Sequence, residues 1–146
     1  SVKFQDISVE GSKQEMMQKL QAAGFETMTE GILKGYIDGR YVYIAIKTDA
    51  NNQVKGLVVD EMSTLDAAEA KARFNSLIAQ FNADANYVAN GANKTLNSNS
   101  AVKTDVKASY KQKNAQGVVE SKTSVVFRII EVVEGKFRIE YSFDNI

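Results

Sequence analysis

The side chains that most often carry enzyme chemistry are missing from this chain of 146 residues, which contains no histidine and no cysteine. Without cysteine there is no thiol nucleophile, and without histidine the commonest general base and metal ligand is lost. A hydrolase with two carboxylates remains open, but Asp60 and Glu61 are adjacent on a predicted strand and therefore point to opposite faces. We expect a protein that is not an enzyme, with a carboxylate-dependent hydrolase as the least favoured function.

One segment imitates the ligand spacing of a calcium loop. Asp49, Asn51 and Gln53 alternate along it, and Asp60 follows Asp49 by eleven residues. Val54 occupies a place where such a loop needs glycine, and strand-forming residues run through the second half. The segment therefore predicts a hairpin turn, and we predict neither a bound metal nor a cofactor.

Aromatic side chains with a polar end are the best candidates for contact with a partner. Tyr41 and Tyr43 alternate on one predicted strand, and Tyr36 lies on the strand before it. These three residues, with Tyr87 and Arg138, are the predicted binding residues. The uncovered sheet face that would carry the first three tyrosines and Arg138 would also hold other charged side chains, among them Lys103, Lys107, Lys111 and Glu140. A solvated lattice of cross-strand Lys and Glu pairs is the alternative interpretation of that face.

Two segments predict the elements that would position these residues. Between residues 63 and 81 the apolar side chains recur with helical spacing and form one stripe, which is typical of an amphipathic helix. From residue 137 to residue 143 apolar and polar residues alternate, which predicts a strand with one buried and one solvated face. A sheet built from such strands is normally antiparallel, and the helix stripe would cover its apolar face.

The rest of the chain repeats this arrangement. Ser12 and Glu15 form a capping box, and Gly24 ends the helix predicted over residues 13–23. Further strands are predicted over residues 2–9, 32–38, 41–48, 54–61, 102–113 and 118–133. The sequence thus predicts a single α+β domain over 1–146. In it, two helix-plus-three-strand units, about 1–62 and 63–146, form one antiparallel sheet with both helices packed on one face.

The segment over residues 82–101 differs in composition, with asparagine at six positions between small residues. Such a tract buries too little apolar surface to hold itself in place. We therefore expect a mobile Asn-rich loop over about residues 84–101. A ligand-facing or partner-facing role is one interpretation of this loop, and a solvated connection is the other.

Charge and hydropathy give no indication of a nucleic-acid partner or of a membrane span. Basic and acidic residues both number 18, so the formal net charge is zero. This balance does not predict attraction to nucleic acid or to an anionic membrane. No apolar run approaches the ~18 residues that indicate a membrane span.

Three stretches in the first third of the chain form one pattern, with Leu20 between the first two: Ile7 to Ser12, Gly24-Phe25 and Leu33-Lys34-Gly35. In this pattern, over about residues 4–46, the chain resembles a family of small exported proteins of Gram-negative gut anaerobes. The resemblance implies export to the periplasm or cell envelope and no established activity, and we expect a signal segment to have been removed ahead of Ser1. The predicted layout is similar to the β-lactamase-inhibitor-protein fold and to small outer-membrane assembly lipoproteins.

Together these features predict a non-catalytic binding or protein-interaction module of the bacterial cell envelope. Its partner would be another envelope protein or a small ligand. A structural or accessory envelope protein is the alternative. A deep polar pocket with converging carboxylates would instead favour the hydrolase.

Overall fold

The computed structural model describes residues 1–102 and 106–146, which form two helices and ten strands. In chain order the elements are β1 (Lys3–Phe4), β2 (Ile7–Ser8), α1 (Lys13–Ala22), β3 (Glu26–Thr27), β4 (Ile32–Ile37), β5 (Arg40–Thr48), β6 (Val54–Glu61), α2 (Ala67–Ala83), β7 (Tyr87–Ala89), β8 (Lys107–Lys113), β9 (Val119–Val133) and β10 (Lys136–Asn145). The strand predicted over 102–113 is present from Lys107. Its residues 103–105, and with them Lys103 of the predicted charged face, lie outside the described residues.

Eight strands form one antiparallel sheet in the order β3-β4-β5-β6-β10-β9-β8-β7, and β1 and β2 form a separate two-stranded sheet. The fold is therefore α+β with an antiparallel sheet. β6 and β10 are direct neighbours in the middle of the large sheet. Their pairing joins the half of the chain that precedes α2 to the half that follows it.

The prediction of two helix-plus-three-strand units was wrong, because the molecule is mostly β-sheet. A short strand follows each helix before the three long ones, β3 after α1 and β7 after α2. These strands pair with β4 and β8, so each half contributes four strands to the large sheet. β1 and β2 lie within the first predicted unit, but they form a separate two-stranded sheet and do not join the large one. The short strands β3 and β7 were not predicted, because strands of two or three residues are too short to show alternation.

Both helices contact the same face of the large sheet, which we call the covered face; the opposite side is the open face. A single cross-strand row of the covered face runs through Ile44, Val59, Tyr141 and Phe127, so both halves bury residues on this side. The helix residues buried against it are Met16 and Leu20 in α1 and Ala70, Phe74, Leu77 and Ile78 in α2. Burial of these apolar side chains is the main force that holds the helices on the sheet.

The predicted ends of α1 are confirmed. The Ser12 side chain accepts a hydrogen bond from the Glu15 backbone N–H at 3.1 Å, and the Glu15 carboxylate accepts one from the Ser12 backbone N–H at 2.9 Å. Gly24 has a φ of 100°, a value that side chains with a Cβ rarely adopt. The backbone N–H of Phe25 then bonds back to the Leu20 carbonyl at 3.0 Å and closes the helix.

The helix predicted over residues 63–81 begins and ends later, at Ala67 and Ala83. Leu65 exchanges two backbone hydrogen bonds with Phe137, of 2.7 and 2.8 Å, so the chain is still strand-like at that point. Asp66 caps the helix, and Glu69 completes the capping box. Neither helix of the described chain combines the length and the apolar character that crossing a bilayer requires.

The first residues form a hairpin rather than the strand predicted over 2–9. Gln5 and Asp6, which break the alternation of that segment, both have positive φ and make the turn between β1 and β2. The buried Gln112 amide holds the hairpin in place, since its Oε1 accepts from the Lys3 N–H and its Nε2 donates to the Lys3 carbonyl, both at 2.7 Å. The two interruptions were therefore the signal of a turn.

The two predicted turns that flank β5 are present. Asp38 and Gly39 have φ values of 47° and 84°, as a tight hairpin of this type requires. At the other end, the Asp49 carboxylate accepts from the backbone N–H groups of Asn51 and Gln53 at 2.8 and 3.0 Å. The side chain that imitates the first calcium ligand therefore closes a turn.

The Asn-rich segment is tied to the rest of the molecule by side-chain amides. Asn75 of α2 donates to the Leu96 carbonyl and accepts from the Leu96 N–H, at 2.7 and 2.8 Å. Asn93 makes the same pair of bonds with the Ser109 backbone at 2.9 and 3.0 Å. Part of the predicted loop is strand β7, while the predicted mobility of the segment stays a prediction.

Candidate binding site

The structure places four of the five predicted binding residues on the open face. Tyr36 on β4, Tyr41 and Tyr43 on β5, and Arg138 on β10 all alternate with residues of the covered face. Tyr87 instead packs, half-buried, against the core of the covered face. The five residues therefore belong to two surfaces, on opposite sides of the sheet.

A pair of exposed aromatic rings stands at one end of the open face. Tyr36 and Tyr41 are direct cross-strand partners beside the β4–β5 turn, and their rings meet edge to face with centroids 4.7 Å apart. The two residues are 61% and 62% exposed. Since each ring limits the motion of the other, the pair offers a partner apolar area and two hydroxyl groups at low entropic cost.

Next to this pair, a polar row crosses the open face. The row is formed by residues that are direct cross-strand partners on neighbouring strands: Lys34, Tyr43, Asp60, Glu140, Arg128 and Lys107. Basic residues at its ends and acidic residues at its centre resemble an ordinary cross-strand lattice. The exception is the centre itself, where two carboxyl groups, Asp60 and Glu140, face each other.

Burial, together with a hydrogen bond to Glu140 and the charge of that residue, raises the pKa of Asp60 from 3.8 to about 7, while Arg138 acts in the opposite direction. One oxygen of Asp60 is buried without a partner among the described residues. A proton on Asp60 allows it to donate a hydrogen bond to Glu140, which two ionised carboxylates cannot form. Near neutral pH, protonation or deprotonation of this pair therefore costs little free energy.

Beside the polar row, an ion pair spans a glycine. Lys47 on β5 and Asp144 on β10 both lie opposite Gly56 of the intervening β6, and their charged groups form a salt bridge. A Cβ added at Gly56 would lie 2.6 Å from the Phe143 carbonyl oxygen and would overlap the Asp144 carboxylate. The close approach of the strands and of the two charges therefore requires glycine at this position.

The second surface is a cleft on the covered face, between the N-terminal hairpin, the β4–β5 turn and α2. Its cavity has a volume of about 260 Å³. Its apolar lining comes mainly from Phe4, Val42, Val59, Leu77, Phe81 and Phe143. The ring of Tyr87 closes one side, with its centroid 4.7 Å from that of Phe81.

Three polar side chains converge at the base of the cleft. The Arg73 guanidinium donates to both oxygens of Glu61, from Nε at 3.0 Å and from Nη2 at 2.6 Å. The Tyr141 hydroxyl donates to the same carboxylate at 2.8 Å, and Glu61 is only 5% exposed. Burial, and after it the charge of Glu61, raises the pKa of Tyr141, so its hydroxyl stays a donor. The carboxylate is thus held in place by three hydrogen bonds.

Sequence reasoning missed this triad, although one part of it had a signal. Glu61 continues the alternation of Leu57 and Val59, which would have placed a carboxylate on the buried face and required a cationic partner. Arg73 lies on α2, one residue before the buried Phe74, but nothing in the sequence aligns it with β6.

The chemistry available on the two surfaces is different. The cleft can enclose a small molecule, whereas the open face offers flat contact area and a carboxyl pair that exchanges a proton. The cleft and the carboxyl pair lie on opposite sides of the sheet, so a molecule in the cleft cannot reach Asp60 or Glu140. The described residues contain no cluster of three or more acidic side chains that could hold a metal ion.

No model of a protein family matches this chain, and neither a curated protein nor a solved structure matches it. A functional assignment therefore depends on the geometry of these two surfaces.

Proposed function

We propose that the protein is a non-catalytic binding module, and that the open face is its contact surface for another protein. The observation that carries this proposal is the exposed Tyr36–Tyr41 pair, with its centroids 4.7 Å apart. Exposed tyrosines that are already ordered are enriched at protein interfaces and often dominate the binding energy. Tyr43 and Arg138 extend the same surface towards the carboxyl pair.

Two further considerations support a module rather than an enzyme. The carboxyl pair is the group best suited to acid–base chemistry, but it lies on a flat face and not in the cleft. Water has access to such a face, and a substrate there would lack the enclosure that strengthens electrostatic catalysis. A carboxyl pair that protonates near neutral pH suits reversible binding, because its charge adapts to the partner.

We also propose that the module works in the bacterial cell envelope after export. Support for this location comes from the resemblance of residues 4–46 to small exported proteins and from that likeness alone. A structural or accessory role in the envelope is the alternative that the experiment below distinguishes.

The test is capture from a native envelope extract with two baits, the wild-type protein and the double variant Tyr36→Ala/Tyr41→Ala. Captured proteins are identified by mass spectrometry, and the affinity of each purified candidate is then measured. If the pair is an interface hot spot, its removal should cost at least about 2 kcal/mol, or about a 30-fold rise in Kd. Circular dichroism should show an unchanged fold, since both side chains are exposed.

The matched control is Val118→Ala/Val119→Ala, which truncates two exposed side chains away from the tyrosine pair. It should leave the affinity unchanged. A partner held equally well by the Tyr36→Ala/Tyr41→Ala variant would remove the open face from consideration. Absence of any stoichiometric partner would favour the structural or accessory role.

A further inference from the structure

The cleft on the covered face faces away from the proposed protein-binding surface and needs its own explanation. We propose that it is a binding site for a small organic cation, with an apolar body of about one ring and a single ammonium group. This site goes beyond the proposed function, because none of the open-face residues belongs to it.

The volume and lining of the cleft indicate the size and apolar character of the ligand. Its volume of about 260 Å³ is smaller than the pockets of about 300–1,000 Å³ that take drug-sized molecules. Aromatic rings from the hairpin, α2 and two strands line it, including Phe4, Phe81, Tyr87 and Phe143. A single planar or branched apolar group fits such a space, and ring faces attract a cation placed against them.

The charged residues around the cleft indicate the sign of the charge on the ligand. Arg73 neutralises Glu61 at the base, which leaves Asp38, Asp84 and the exposed Arg40 at the mouth. The balance at the mouth is therefore one negative charge in excess. Burial is the main cause that raises the pKa of Tyr87; the hydrogen bond from Gln112 lowers it, and the Asp84 and Asp6 carboxylates raise it. Their effect on Tyr87 indicates a negative potential on that wall.

The end of α2 adds to this potential. Asp84 is the C-cap of the helix, and the last turn contains no basic residue. The carbonyl groups at a helix C-terminus carry about half a negative charge, so a carboxylate there is unfavourable unless a cation lies nearby. Gln80, Phe81 and Asp84, from this same end, line the cleft. An ammonium group at the mouth would relieve this repulsion, because no side chain among the described residues forms a salt bridge with Asp84.

Three probes of nearly equal size separate charge from shape: benzylammonium, benzyl alcohol and benzoate. Each is titrated into the ¹⁵N-labelled protein, and amide chemical shifts are followed by NMR. We expect benzylammonium to bind with a Kd of about 1 mM, benzyl alcohol to bind more weakly, and benzoate to bind weakest. The shifts should concentrate at Ile37, Arg73, Gln80 and Tyr87.

Asp84→Asn tests the role of the charge with little change in structure. The Asp84 Oδ1 accepts from the Asn86 backbone N–H at 2.9 Å, a bond that the asparagine oxygen preserves. The variant should bind benzylammonium about two- to fivefold more weakly and benzyl alcohol unchanged. Asp49→Asn is the matched control, because Asp49 makes the same kind of turn bond far from the cleft. It should alter neither affinity.

Ile37→Trp tests the location, since the larger ring would occupy space in the cleft and should abolish binding of all three probes. The chain contains no other tryptophan, so fluorescence of the new residue also reports whether the variant folds. Tighter binding of benzoate than of benzylammonium, no binding of any probe at about 10 mM, or equal effects of Asp84→Asn and Asp49→Asn would each overturn the proposal. The Asp84→Asn result decides even if Ile37→Trp does not fold.

Discussion

Replacing Asp60 with asparagine should stabilise the folded protein at neutral pH, although the substitution removes a charged group from a sheet face. Asp60 faces Glu140 across β6 and β10, and above its pKa the two carboxylates repel each other in a half-buried position. Asparagine has nearly the shape of the protonated acid, and its amide N–H can donate to Glu140 at every pH. The variant can therefore form the hydrogen bond to Glu140 that wild type forms only when Asp60 is protonated.

The sign and size of the effect follow from the pKa. The folded protein raises the pKa of Asp60 from 3.8 to about 7, so between these values the folded state keeps a proton that the unfolded chain has lost. The free energy of unfolding contributed by Asp60 is therefore highest below about pH 4, falls as the pH rises to about 7, and is constant above it. A pKa rise of this size corresponds to about 4 kcal/mol. Because the group is only half-buried, screening by water reduces this to about 1–2 kcal/mol.

Urea unfolding, followed by circular dichroism at a series of pH values, measures this contribution. The free energies of unfolding of wild type and Asp60→Asn should differ least at acidic pH. Between there and neutral pH, the free energy of unfolding of the variant should rise by about 1–2 kcal/mol relative to that of wild type. Asp144→Asn is the control, because the carboxylate at that position is paired with Lys47 and its removal should bring no gain. If the difference between Asp60→Asn and wild type does not change with pH, Asp60 is not protonated in the folded protein and the reasoning is refuted.

Three further substitutions test the packing that positions the two surfaces. Gly56→Ala should destabilise the protein by about 1–3 kcal/mol in urea unfolding, because the new Cβ would lie 2.6 Å from the Phe143 carbonyl oxygen; an unchanged midpoint would contradict the close approach of β6 and β10. Phe74→Ala should cost about 3–5 kcal/mol, as a fully buried ring is lost from α2, and a loss below 1 kcal/mol would mean that the helix does not pack as described. Arg73→Met should cost about 3–5 kcal/mol by leaving the buried Glu61 without its cation, and Arg73→Met/Glu61→Gln should recover part of that loss; equal stability of the single and double variants would show that the pair is not coupled.

The parts of the fold that could be predicted are those set by neighbours in sequence. The capping box of Ser12 and Glu15 and the turn at Asp38-Gly39 depend on residues within one turn of each other. The alternation of β6 is likewise local, and its predicted bounds agree with the structure. The same local signal was available at Asp66 and Glu69, three residues apart, and would have placed the start of α2 correctly.

The parts that could not be predicted depend on register between distant strands. Asp60 meets Glu140 only because β6 and β10 pair with that offset, and these residues are eighty positions apart. Short strands such as β3 and β7 form because a long neighbour offers an edge to pair with, which leaves no pattern in their own residues. Tyr87 illustrates the consequence, since a tyrosine in an Asn-rich segment gave no indication of which side of the sheet it would join.

The pairing of β6 with β10 positions both surfaces at once. Asp60 and Glu61 are consecutive on β6, and Glu140 and Tyr141 are consecutive on β10, so the carboxyl pair of the open face lies directly behind the Glu61–Tyr141 contact at the base of the cleft. A one-residue slip of this pair would exchange the faces and disrupt both arrangements together. A side-chain substitution on one face leaves the backbone register intact. Changes such as Tyr36→Ala and Asp84→Asn should therefore separate the two binding activities, whereas Gly56→Ala, whose Cβ would lie 2.6 Å from the Phe143 carbonyl oxygen, should impair both.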